Sequence, residues 1–205
     1  MLVIIQARMS SKRFRGKVLY KINNKPLIWY LINNIKKSKK VTDIIVATSK
    51  NKSDDVLTKY LKKINIKFFR GNLNNVMKRL FDLSKKLKKK YFLRISADSP
   101  LIDYRIINKA ILLANKKKKF DLITNVFPRS YPSGQSTEII RSDILRNALN
   151  NPKITKYDLE HVTTFFYRNN KKYRIINFSA KKKYYNKFSI DLKKDLENLK
   201  RYFKV

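Results

Sequence analysis

The chain reads as an α/β protein, a mostly parallel central sheet covered by helices on both faces, and three observations carry that reading. Short apolar runs alternate with segments of helical periodicity through the first 125 residues, the pattern of repeated strand–helix units. The opening run Val3-Ile4-Ile5 stops abruptly at polar residues, as a strand buried in the middle of a parallel sheet does. The 205 residues, 43% of them hydrophobic, contain no internal repeat or obvious linker, so one compact domain spanning residues 1–205 is expected.

The elements follow in order. After the first strand, Pro26 to Ser38 has helical spacing, with Leu27, Tyr30, Leu31 and Asn34 or Ile35 on recurring faces and Pro26 suited to a first turn. Ile44–Thr48 is the next strand, and Ser53 or Asp54 can cap a helix reaching Lys63. Ile66–Phe69 is a strand, Leu73–Lys88 a helix, Tyr91–Ile95 a strand, Tyr104–Leu113 a helix and Phe120–Thr124 a strand. Beyond Asn125 the pattern is irregular. It contains a proline-bearing loop, short strands at Thr137–Ile140 and Tyr173–Phe178, helices near Asp143–Leu149 and Tyr157–Tyr167, and a last helix from Lys193.

Composition narrows the function classes. With no cysteine and one histidine, disulfides and thiolate or imidazole zinc sites are excluded, and any metal must be held by oxygen, which makes Mg²⁺ the natural candidate. No apolar run approaches the roughly 20 residues a bilayer span needs, and a cytosolic protein without membrane insertion is expected. The 50 Lys and Arg against 14 Asp and Glu give a net charge of +36. Such an excess raises nucleic-acid binding as an alternative function, with Lys182–Lys187 offering tyrosines among cations. The lysine runs at 36–40, 85–90, 116–119 and 181–183 mostly trail helical segments, however, where cations complement the helix dipole. That reading leaves no dedicated nucleic-acid face.

Chemistry gathers at two strand ends. Arg8, Lys12, Arg13, Arg15 and Lys17 cluster around Gly16 just after the first strand, either a loop for a nucleotide's phosphates at the carboxyl edge where open α/β sheets bind ligands or an exposed basic turn in a basic chain. Gly16, Gly71 and Gly134 are the only glycines, and each marks a position that side chains fit badly. The strand at 91–95 delivers Asp98 to the same edge, and Pro100 holds the backbone extended at Ser99, the residue before it. Asp103 reads as a helix cap. A further short strand at 188–191 ends in Asp191, either a second metal ligand beside Asp98 or a cap for the last helix. Asp98 likewise reads as ligand or turn aspartate.

Seven ordered blocks carry a resemblance: 5–19 (Ile-Gln-Ala-Arg-Met-Ser-Ser-x-Arg-x-x-Gly-Lys-Val-Leu), 46–49 (Val-Ala-Thr-Ser), 69–71 (Phe-Arg-Gly), 94–103 (Arg-Ile-Ser-Ala-Asp-Ser-Pro-Leu-Ile-Asp), 131–134 (Tyr-Pro-Ser-Gly), 160–163 (Glu-His-Val-Thr) and 189–191 (Ser-Ile-Asp). Together they resemble the spore-coat polysaccharide biosynthesis F branch of the cytidylyltransferases, which is similar to synthetases of CMP-linked acidic sugars. The resemblance implies a Rossmann-like nucleotide-diphospho-sugar transferase fold, with residues 1–125 binding nucleotide and 126–205 binding sugar and offering the surface for a homodimer. It implies CTP and a sugar acceptor as substrates. Gln6, Ala7 and Arg8 would border cytosine and ribose, with Ser10, Gly16, Gly71 and Arg94 also on the nucleotide side. Arg13 and Lys17 would hold the triphosphate, and Asp98 and Asp191 would bind Mg²⁺. Arg129, Tyr131, Gly134, Glu138 and His161 would meet the sugar. The chain departs from the family at Arg15, Ala97 and Ser136, where proline, glycine and an acidic residue are usual; the last change leaves Glu138 as the acid there. A relative that binds nucleotide without turnover is a further alternative.

Overall fold

A computed structural model describes residues 1–203 apart from Lys118, Lys183 and Tyr185. Those three belong to the lysine runs and the basic–tyrosine segment noted above, and that part of each lies outside the described residues. In chain order the elements are β1 (Leu2–Gln6), β2 (Lys21–Ile22), β3 (Lys25–Pro26), α1 (Leu27–Lys36), β4 (Asp43–Ser49), α2 (Asp55–Lys63), β5 (Lys67–Gly71), α3 (Val76–Lys86), β6 (Tyr91–Ser96), α4 (Tyr104–Lys116), β7 (Leu122–Thr124), β8 (Glu138–Arg141), α5 (Ser142–Leu149), α6 (Lys156–His161), α7 (Thr164–Arg168), β9 (Ile175–Asn177) and α8 (Lys193–Leu199).

Seven strands form one sheet in the order β5-β4-β1-β6-β8-β7-β9. β1 lies between β4 and β6 and pairs in parallel with both. The pattern is parallel except at β8, which runs antiparallel to both β6 and β7. Alternation along each strand then divides the core. Val3, Ile5, Val46 and Ile95 face α1, α2 and α4, where Leu31, Leu57 and Ile107 meet them. Leu2, Ile4, Ile45 and Phe92 face α3, α5 and α7 on the other side, against Leu80, Leu145 and Phe166. A satellite cluster packs α8, through Leu196 and Leu199, on the β2–β3 hairpin and Tyr30 of α1. Among the described residues no helix is long and apolar enough to cross a membrane.

The predicted core elements are present, with four corrections. Asp54 does not cap α2: its carboxylate turns inward and accepts from the Met9 amide at 2.7 Å, the Ser49 amide at 3.0 Å and the Ser49 hydroxyl, while Asn51 accepts from Ser53 N–H at 2.9 Å. The helix expected across 157–167 is two helices, α6 and α7, broken at Val162. The segment 188–191 is not a regular strand but an extended stretch entered by a single bridge, Ser133 to Lys187. The last helix is capped by Asp195, which accepts from the Asp191 and Leu192 amides at 2.8 Å each, so Asp191 is left for another role.

Candidate active site

The carboxyl ends of β1 and β6 open into a cleft of about 450 Å³, the place where a parallel α/β sheet presents its loops to a ligand. Beyond β1 the chain doubles back: Gly16, at φ 75°, donates its N–H to the Met9 carbonyl at 2.8 Å and starts a short 3₁₀ turn over Lys17–Leu19. Ser11, Arg13 and Lys17 of this loop line the cleft, whereas Ser10 and Gly16 stand outside its lining. Lys17 reaches across and donates its ammonium to the Ile190 carbonyl at 2.7 Å. Burial lowers its pKa, opposed by the charges of Asp98 and Asp191.

Past β6 the ladder continues for one residue, Ala97 N–H to the Gln6 carbonyl at 3.0 Å, and brings Asp98 to the cleft. Tertiary contacts then set Asp191 beside it. Ile190 N–H donates to the Asp98 carbonyl at 2.8 Å, and Phe188 N–H to the Ser133 carbonyl at 2.7 Å. Gly134, at φ 87°, makes this apposition possible, because a Cβ there would stand 2.5 Å from the Ser189 nitrogen. Asp191 pairs with Arg13 at 2.8 Å and Lys187 at 3.3 Å. The Asp98 carboxylate accepts, among the described residues, from the Ser99 hydroxyl alone, at 3.1 Å. Among the described residues every Asp and Glu except Asp54 and Asp98 forms an ion pair. Asp54 is buried and hydrogen-bonded, so Asp98 is, among the described residues, the one cleft carboxylate without an ion pair in a chain that carries +36.

The opposite wall is a network. Arg94 pairs with Glu138 and donates to Gln6 Oε1 at 2.8 Å. Tyr167 donates its hydroxyl to Glu138 at 2.5 Å, and burial together with the Glu138 charge raises the phenol's pKa far above its ordinary value. Glu138 lines the cleft with both oxygens engaged. Arg8 pairs with Glu160, which lies on α6 beside His161. Burial lowers the His161 pKa; Glu160 opposes this, and Arg94, Arg8 and Arg13 reinforce it, so the surroundings favour the neutral imidazole. Immediately after it, Val162 adopts φ 62°, ψ −62°, and Thr163 N–H reaches the His161 carbonyl at 2.7 Å, a γ-turn rarely tolerated outside glycine. This break turns Glu160, His161, Thr163 and Thr164 toward the cleft. Asp158, fully buried, bolts it shut, accepting from Thr155, from Thr164 at 3.0 Å and from Arg168 at 2.6 Å.

Of the sugar-side expectations, Arg129 and Gly134 line the cleft, with Arg129 donating to Ser136 Oγ at 3.1 Å. Tyr131 lies behind the wall, its ring edge on Phe178 and its hydroxyl 3.2 Å from Lys109. Gly71 also stands outside the cleft. A Cβ there would lie 2.7 Å from Cγ of Arg79, so its role is to let that side chain pass.

Arg79 itself is absent from the sequence expectations. It is 1% exposed yet lines the cleft, donates to the Asn72 carbonyl at 2.6 Å, and has no carboxylate partner among the described residues. Burial, with Arg8 adding to it, brings its pKa down to about 10. A signal did exist: Arg79 falls three residues after Val76 and four before Leu83, in the register of α3's apolar face.

Comparison with known proteins fits this geometry. The family model described as cytidylyltransferase matches residues 2–203. An uncharacterised protein of Methanocaldococcus jannaschii is 36% identical over 81% of this chain and 66% of its own length. The spore coat polysaccharide biosynthesis protein SpsF of Bacillus subtilis is 26% identical over 97% of this chain and 84% of its own. A solved cytidylyltransferase from Leptospira borgpetersenii superposes with TM-score 0.92 at 26% identity, covering 99% of this chain and 87% of that one. A CMP:2-keto-3-deoxy-manno-octonic acid synthetase complexed with CTP shares the fold at TM-score 0.76 and 16% identity, over 98% and 97%. With a match that runs from β1 through α8 and includes every loop of the cleft, this chain belongs to the cytidylyltransferase family.

Proposed function

We propose that the cleft transfers a cytidylyl group from CTP to a sugar acceptor and releases pyrophosphate, supplying activated sugar for surface polysaccharide. The observation that carries the reading is an open carboxylate, Asp98, in a cleft with Arg13 and Lys17. An acceptor oxygen attacks the α-phosphorus, the bond from that phosphorus to the bridging oxygen breaks and pyrophosphate leaves; an acceptor hydroxyl gives up its proton to solvent, whereas a sugar phosphate oxygen has none to lose. Because nucleophile and triphosphate are both electron-rich, catalysis is mainly alignment and charge neutralisation. Lys17 and Arg13 take the charge that grows on the leaving pyrophosphate. Arg79, buried and without a carboxylate, lends further positive potential to the same cleft. Neutral His161 can accept a hydrogen bond from an acceptor hydroxyl, and Arg129 adds a cation beside Ser136.

The donor set fits Mg²⁺. Asp98 and Asp191 offer hard oxygen ligands, and no group of three His, Cys, Asp or Glu side chains that could cage a metal exists among the described residues. That matches an ion that draws the rest of its octahedron from phosphate oxygens and water. When bound, Mg²⁺ would neutralise phosphate charge. The test is pyrophosphate release from CTP with Mg²⁺ and a panel of acidic and phosphorylated sugars. Asp98→Ala is expected to lower kcat by at least about 10²-fold, in line with loss of a charge-organising group, while leaving the melting temperature unchanged. Full activity in that variant would remove Asp98 from the chemistry.

A further inference from the structure

We propose that the sheet edge opposite the cleft is a docking surface for a bilayer rich in acidic headgroups. In a parallel sheet the returning helices all end where the strands begin, so α1, α2, α3 and α4 deliver their C-terminal segments to one edge, away from the ligand loops. The lysines at 36–40, 62–63, 85–90 and 116–117 are separated in sequence yet gathered there, and all of them are exposed. Met1 stands between two of these segments: its nitrogen donates to the Lys40 carbonyl at 2.9 Å and lies within the field of Lys89. Ser142 N–H bonds the Lys90 carbonyl at 2.8 Å and extends the edge toward α5.

Helix-dipole complementarity accounts for cations in a last turn and no further. Lys39, Lys40 and Lys88–Lys90 lie beyond the helices. None of the lysines in these segments makes an ion pair among the described residues, and the acids near them are already engaged, Asp43 with Lys67 and Asp121 and Asp143 with Arg141. The edge is therefore a self-repelling sheet of charge that only an external anion relieves. Its chemistry favours a headgroup plane over nucleic acid. The cations are lysines, point charges rather than planar forks. The exposed aromatics among the described residues, Phe127, Tyr157, Tyr184 and Tyr202, lie elsewhere, and so do not offer this edge a stacking platform for bases. Docked this way, the cleft faces the solvent.

The test is co-sedimentation with phosphatidylcholine vesicles, alone or with about 30% phosphatidylserine, at about 0.1 M salt, where surface charge is only partly screened. The full chain is expected to bind the acidic vesicles at least about tenfold better than the neutral ones, with binding lost at higher salt. The variant K37E/K39E/K89E/K90E should lose that preference. The variant K52E/K153E/K194E/R201E, with the same change in net charge, should keep it. Three results would overturn the proposal: no preference for acidic vesicles, equal loss in both variants, or edge-dependent binding of a single-stranded RNA oligonucleotide without vesicle binding. Circular dichroism of both variants shows that each outcome is read on folded protein.

Discussion

Burial holds the Lys17 ammonium below its ordinary pKa, which ties a stability cost to a proposed catalytic role. A lysine whose folded pKa lies below 10.5 destabilises the fold while it is protonated, and that cost fades only as pH rises through the folded value toward 10.5. Lys17→Met should therefore raise the melting temperature at pH 7, by a margin that shrinks toward pH 10, while kcat/KM falls by roughly 10²-fold. Thermal melts across pH and a pyrophosphate assay read the two effects. A melting temperature that fell together with activity would mark Lys17 as structural. Much of this side-chain chemistry is legible in sequence, since Arg13, Lys17 and Asp98 stand at strand ends and strand ends of one sheet edge share a cleft. Arg79 was harder to see because a buried cation looks like an exposed one until its neighbours are known. The identification of Glu138 as a sugar contact meets a side chain already held by Arg94 and Tyr167.

Elements matter here through their interruptions. Gly134 lets the loop after Pro132 press against 188–189, and that contact carries Asp191 to Asp98. Gly134→Ala adds a methyl group against backbone at positive φ, so a loss of about 3 kcal/mol is expected in denaturant melts, with activity falling in step. Unchanged stability would mean that this apposition is not tight. Asp158 plays the corresponding part at the α6–α7 break. Burial opposes its ionisation, but hydrogen bonds from Thr155, Arg168 and Thr164 outweigh that and lower its pKa. The stability it contributes is thus present above pH 3.8 and lost as pH falls through its folded value. Asp158→Ala should cost about 3 kcal/mol at pH 7, the scale of breaking a buried hydrogen-bonded pair, and the difference from the parent chain should narrow in acid. Sequence periodicity located both helices of this region but merged them, because nothing local forbids a helix at Val162. The γ-turn there is imposed by the bonds that Asp158 makes from either side.

A net charge of +36 on 205 residues makes self-repulsion a property of the entire fold. Since repulsion between exposed charges is screened beyond about 8 Å at physiological ionic strength, the melting temperature should rise by several degrees between about 0.02 M and 0.3 M sodium chloride. A flat salt response would show the charges to be already neutralised. Composition gave this charge directly, along with the exclusion of cysteine and imidazole metal sites. It did not give the distribution. The lysine runs read in sequence as solvated helix ends, and only the sheet order shows those ends to be neighbours on one edge.

Alternating apolar runs and helical spacings determined the α/β class, the place of β1 inside the sheet and the carboxyl edge as the side that carries the cleft, because burial patterns and chain connectivity are local or nearly so. The seven spaced motifs determined the family. Tertiary structure decided the rest: the seating of Asp191 beside Asp98 without a strand, the burial of Arg79 behind Gly71, and the inward turn of Asp54. Each of these depends on contacts between segments far apart in the chain, where the energy of a polar group is set by which neighbours desolvate it and which complete its hydrogen bonds.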